Sequence, residues 1–262
     1  MDDQRDLERM LGNLRQFQSE SDASKESEKS PSNAGTSFDA DEFLAGLDAM
    51  FASHTAKDKA DEYLQQAMAD AENAQDYAGL LTVLNETMGF YRSQGRHQEN
   101  QWIIQRAIEL ALRMGLEGTE AWTTTLINAA TSQRAAGNLD QAEDLFEQAL
   151  DAARRTYGPD DRRLAALHNN RSMLFSQTHR RRQAIDELHE SLRILEHSSV
   201  DAQSDVDIAS TCTNLALAML DGEDQPTDAE LEEAQSLARR TLDIYQHAGS
   251  DSSAHYASAL AG

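Results

Sequence analysis

The sequence is poor in the features that mark a small cross-linked domain, a membrane span or a secreted chain. It has a single cysteine, Cys212, so no disulfide closes within the chain and a reducing compartment is expected. It has three prolines and 13 glycines in 262 residues, too few to interrupt long helices. No apolar run approaches the roughly 18 residues of a membrane span. The first ten residues, "MDDQRDLERM", are acidic where a secretory leader is basic and then apolar, so the expected location is cytoplasmic. Basic residues are also scarce, and 23 Lys and Arg against 46 Asp and Glu give a net charge of −23. Such a chain repels phosphate backbones and anionic lipid, so neither nucleic acid nor membrane is expected as a partner.

Catalytic signatures are scarce too. Eight histidines are scattered with no His-Glu-x-x-His, no paired cysteines, no glycine-rich phosphate loop and no Gly-x-Ser-x-Gly elbow. "DDRR" (160–163) and "HQEN" (97–100) contain titratable groups but no second cluster to complete a site. His168 reads as groove or packing, and Cys212 as a small buried apolar residue. No enzyme activity, cofactor or metal ligand set is expected.

What the sequence does contain is helical periodicity. Residues 1–18 place Leu7, Met10, Leu11, Leu14 and Phe17 at helical spacing, the pattern of a short amphipathic helix. Residues 19–37, "SESDASKESEKSPSNAGTS", carry too little apolar surface to offset the cost of ordering and read as a flexible linker. From Phe38 onward nearly everything fits a 3.6-residue period, interrupted by short polar breaks. The stretch "TLINAATSQRAAGNLDQAEDLFEQALDAARR" (125–155) has an echo 42 residues later. A slide of 42 places Gly95 on Gly137 and on His179. It also places Ile104, Ala107, Ile108 and Ala111 on Phe146, Ala149, Leu150 and Ala153, and then on Leu188, Ser191, Leu192 and Leu195. Slightly different offsets add Leu64, Ala67, Met68 and Ala71 before these copies, and Ala238, Thr241, Leu242 and Tyr245 after them. Each set lies on one stripe of the second helix of a hairpin too thin to bury it alone. Stacking the hairpins buries the stripe continuously, which predicts an all-α solenoid of antiparallel helix pairs. Helix boundaries are expected near Ala56, Tyr77, Arg96, Gly115, Leu139, Asp160, Arg180, Val206 and Thr227, the last as a Thr227-x-x-Glu230 capping box.

The first-helix stretches "LINAAT" and "LHNNRSM", the Gly137-Asn138 turn, "QAEDLFEQAL" and "RTYGPDD" together resemble tetratricopeptide repeats. The resemblance is to the 42-residue variety of kinesin light chains and of many bacterial repeat proteins, and it covers residues 38–262. It implies a right-handed superhelix of about five helix pairs with a truncated last helix. "SSAHYASALAG" (252–262) opens a first helix and stops, which suggests a fragment or an apolar end completed by another surface, self-association included. Departures from the pattern are Asn100 for a small residue, Arg171 within "NNRSM", and "DGEDQPTD" for a tight turn.

The resemblance also implies a concave face, lined by first helices, that holds a peptide segment of another protein. Asn128, Asn170 and Asn214 share one register, with Asn169 beside the second, Asn85 in the preceding copy, and Glu86 at the register position itself there. Asparagine costs roughly 0.5–0.7 kcal/mol against alanine in a helix, so its repetition asks for a reason. The amide is both donor and acceptor, and the family implies that such asparagines read the backbone of a bound peptide. The other reading has them bridge adjacent helices or face water. Arg92 and Arg134, one repeat apart, offer a bidentate clamp for an acidic group or a solvated face. The basic runs "HRRRQ" (179–183) and Arg154, Arg155, Arg162 and Arg163 read as solvated or paired with nearby acids. The function expected is a non-catalytic protein- or peptide-binding scaffold. The alternative is a sensor in which a bound peptide controls a separate effector.

Overall fold

The structure, a computed structural model, describes residues 38–52, 57–203, 205–221 and 225–248. The expected N-terminal helix (1–18), linker (19–37) and truncated last helix lie outside the described residues. These residues form ten α-helices: α1 (Ala40–Ala52), α2 (Lys57–Asn73), α3 (Tyr77–Ser93), α4 (His97–Arg113), α5 (Glu120–Ala135), α6 (Leu139–Tyr157), α7 (Arg162–Gln177), α8 (Arg181–Ser198), α9 (Val206–Leu220) and α10 (Asp228–His247). Odd-numbered helices are the first, and even-numbered the second, of each pair. No strand occurs among the described residues, and the fold is an all-α repeat.

Local chemistry sets the helix ends. Asp76, Thr119, Asp161, Asp205 and Thr227 each accept a backbone N–H of the following turn, occupying donors that the helix itself leaves open. Thr227 and Glu230 form the reciprocal capping box. The turn between the helices of a pair is built alike three times. Gly95, Gly137 and His179 adopt φ of 68°, 82° and 58°, and the next residue's N–H reaches back five positions, Arg96 to Tyr91, Asn138 to Gln133 and Arg180 to Phe175, at 2.9, 3.0 and 2.8 Å. This left-handed closure suits glycine, and histidine is among the few other residues that tolerate it. The boundary expected near Gly115 falls in the connection between α4, which ends at Arg113, and α5, which begins at Glu120. Gly115 and Gly118 both take positive φ, and this extended connection delays the helix until Thr119 can cap it.

The chain divides into two compact units, 1–145 and 146–262, with α6 spanning the division. In the first unit α3 packs against α2, α4 and α5, and α1 against α2 and α3. In the second, α7 packs on α8, α8 on α9 and α9 on α10. The second-helix stripe is the core in each. Leu64, Ala67, Met68, Ala71, Ile104, Ala107, Ile108 and Ala111 are buried in the first unit, and Phe146, Ala149, Leu150, Ala153, Leu188, Ser191, Leu192 and Leu195 in the second. Small residues alternate with large ones, letting helices approach closely, and each buried large side chain contributes on the order of 1.5–3 kcal/mol. In α10 the register holds at Thr241 and Tyr245, while Ala238 is exposed and Leu242 half-buried; no described helix follows α10. Asn100, at a small-residue position, is accommodated by donating to Met88 O at 3.0 Å.

Candidate interaction face of the first helices

In the first unit, Asn85 on α3 is buried and donates through Nδ2 to Leu81 O at 3.0 Å and to Thr125 Oγ1 of α5 at 3.1 Å. Its Oδ1 accepts from Asn128 Nδ2, one turn further along α5, at 3.1 Å. In the second unit the same bracket recurs. Asn169 on α7 donates to Thr211 Oγ1 of α9 at 2.7 Å and to Ser191 Oγ of α8 at 2.9 Å, and it accepts from Asn214 Nδ2 at 2.9 Å. An asparagine on one first helix is thus held between a threonine and an asparagine three residues apart on the next. Four of the five predicted asparagines therefore spend part of their amide on joining first helices. Asn128 and the exposed Asn214 each keep Oδ1 and one N–H. Asn170, half-buried, makes no side-chain hydrogen bond with the described residues.

One turn beyond Asn170 and Asn214 stand Met173 and Leu217, 45% and 57% exposed. The sequence register already linked the two asparagines; reading three residues on, the spacing of helical neighbours, would have found this apolar strip.

Arg92 on α3 and Arg134 on α5 are half-buried and near each other. Arg92 Nη1 donates to Ser132 Oγ at 3.3 Å; Arg134 Nε is buried without a hydrogen-bond partner among the described residues. Neither reaches a carboxylate among the described residues. Burial depresses both guanidinium pKa values, and the charge of Arg134 depresses that of Arg92 further. Their isolation contrasts with Arg96, Arg106, Arg113, Arg162, Arg163, Arg171, Arg181, Arg193 and Arg240, each paired with a carboxylate. Within the basic runs, Arg162 grips Asp205 and Asp207, while Arg181 joins the carbonyls ending α9 to Glu230.

Two further features escape a reading by register alone. Glu86, at the Asn128 register of α3, is half-buried with no side-chain hydrogen bond or ion pair among the described residues; burial, then Asp48 of α1, raises its carboxyl pKa. In the second unit, buried His168 and half-buried Arg171 of α7 both meet Glu187 of α8, at 2.6 and 3.0 Å. In the preceding copy these three positions are the buried Leu126, Ala129 and Leu145. The intrusion of Arg171 is therefore one member of a coordinated polar layer.

Residues 120–197 match the tetratricopeptide-repeat family model. Among solved structures the chain is similar to BtubC (BKLC) of P. vanneervenii, with 18% identity over 79% of this chain and 80% of that one and a TM-score of 0.67. It is also similar to a putative kinesin light chain of Podosopora anserina with nearly identical TPR-like repeats, with 14% identity over 80% and 97% of the two chains and a TM-score of 0.61. A singly substituted form of the latter gives 15% identity, 79% and 96% coverage, and a TM-score of 0.63. No curated protein matches. No helix among the described residues is long and apolar enough to cross a membrane.

Proposed function

We propose that the first helices of this chain, which matches the tetratricopeptide-repeat model over residues 120–197 and is similar in fold to kinesin-light-chain-like repeat proteins, a kind of repeat that generally serves as a protein-interaction scaffold, bind an acid-bearing peptide segment of another protein. The observation that carries this reading is the pair Arg92 and Arg134, half-buried and without a carboxylate among the described residues in a chain with twice as many acids as bases. Desolvating a guanidinium is costly unless an anion meets it, and a carboxylate between the two recovers that cost through charge-assisted bonds of roughly 1.5–3 kcal/mol each. The open amide of Asn128 in the first unit, and those of Asn170 and Asn214 in the second, each offer donors and acceptors for a peptide backbone. Asn85 and Asn169 hold the helices that present them. Met173 and Leu217 add apolar contact in the second unit.

The test is a titration of full-length protein against an immobilised array of synthetic peptides that differ in acidic content. Peptides with Asp or Glu are expected to be retained and neutral ones not. Arg92→Ala/Arg134→Ala should weaken retention at least tenfold with the helix content unchanged, and Asn128→Ala, in the same unit, should weaken it a further two- to tenfold, the effect of one hydrogen bond worth about 0.5–1.5 kcal/mol. Equal retention of acidic and neutral peptides, or an unchanged double variant, refutes the proposal.

A further inference from the structure

The helix that carries Arg92 also carries an acid that has no basic partner among the described residues. Glu86 precedes Arg92 on α3 by six residues, roughly 9 Å along the axis at ~1.5 Å per residue, and neither forms an ion pair with the other or with another described residue. Near Glu86 stands Asp48 of α1, a second negative charge; near Arg92 stands Arg134 of α5, a second positive one. Each end thus holds two like charges, with Glu86, Arg92 and Arg134 half-buried and Asp48 exposed, and like charges near one another raise the free energy of the unbound face. Between them lies Gly89, where an added Cβ would meet only Arg92 Nη2, at 3.8 Å. Gly89 itself is half-buried, and it is the one position between the two ends that is not buried.

Resting on the peptide-binding reading above, we infer that the segment taken by the first unit is bipolar, with a basic side chain against Glu86 and Asp48 and an acidic one against Arg92 and Arg134. Both uncompensated ends are then neutralised at once. For an extended segment the two charges stand three residues apart, about 10 Å at ~3.3 Å per residue. Their order in the partner decides which way its chain runs along α3. A uniformly acidic segment gains at one end and is repelled at the other, so the face discriminates against its acidic surroundings, this chain's own surface included.

The probe is a fluorescently labelled synthetic peptide with one lysine and one glutamate three positions apart in a serine–alanine background, beside its lysine-only and glutamate-only forms, titrated into full-length protein at low salt. The mixed peptide is expected to bind at least fivefold tighter than the glutamate-only form. Glu86→Gln should erase that gain while leaving the glutamate-only peptide unchanged, and a bulky Gly89→Leu should weaken the mixed peptide. Glutamate-only binding that is lost in Arg92→Ala/Arg134→Ala, with no gain from lysine, overturns the bipolar inference and leaves the acid-binding reading standing. Absence of binding by the mixed peptide overturns the inference, as does a gain from lysine that survives Glu86→Gln.

Discussion

Replacing Asp205 by asparagine isolates one charge in the second unit. Asp205 caps α9 by accepting Asp207 N–H at 3.1 Å, takes both Nη atoms of Arg162 at 2.6 and 2.7 Å, and accepts Ser199 Oγ–H at 2.6 Å. Its side chain is 8% exposed. The Arg162 bonds come first among the causes that lower its pKa from 3.8 to about 2, outweighing burial, with Ser199 and the capping N–H assisting. At about 1.36 kcal/mol per tenfold, that fall amounts to roughly 2.5 kcal/mol of stability. Because the native pKa lies below the unfolded one, the contribution is complete above the unfolded value and is lost as pH falls from about 4 toward about 2. Asparagine caps as well as aspartate, so Asp205→Asn removes the charge and keeps the cap. Urea unfolding of the two proteins should differ by about 2 kcal/mol at pH 7, with the gap unchanged to pH 5 and narrowing below pH 4. Far-UV circular dichroism is the probe, because Trp102 and Trp122 both precede the second unit. A gap that stays constant down to pH 3, or none at pH 7, refutes the assignment to the Arg162–Asp205 charge pair.

Glu187→Leu alone should destabilise by about 3 kcal/mol, because it leaves buried His168 and half-buried Arg171 without their acceptor. The triple change His168→Leu/Arg171→Ala/Glu187→Leu, which installs the residues of the preceding copy, should recover most of that loss in urea titrations; a triple variant as unstable as the single would show that the layer is not a self-contained exchange. Asn85→Ala and Asn169→Ala should each cost about 1–3 kcal/mol by stranding threonine and asparagine partners, whereas Asn170→Ala stays within about 0.5 kcal/mol of wild type. Thermal and urea midpoints decide this, and an Asn170 loss as large as that at Asn85 would place it in the packing.

The 42-residue slide was enough to read the turns and the core, because equivalent positions in a repeat face equivalent chemistry. Gly95, Gly137 and His179 close their turns alike, and the stripe from Leu64 to Leu195 is buried. Contacts between first helices obey a different spacing. Asn85 meets Thr125 and Asn128, and Asn169 meets Thr211 and Asn214, at separations of 40–45 residues, so aligning Asn128 with Asn170 and Asn214 groups residues of like position but unlike partners. What separates a joining asparagine from an open one is the neighbouring helix. Asn85 and Asn169 lie two repeats apart and each finds a threonine across the gap, while α5 carries Ile127 at their register. The bracket therefore has a period of two repeats, twice that of the core stripe, and a search at 42 residues cannot resolve it. The same argument covers the charges. Arg92, Arg134 and Arg162 are alike as residue types and all sit on first helices. Arg92 and Arg134 lie in the last turns of α3 and α5, whereas Arg162 opens α7 and meets the Asp205 and Asp207 that open α9. That one difference in position converts a cation available to a partner into a clamp for α9.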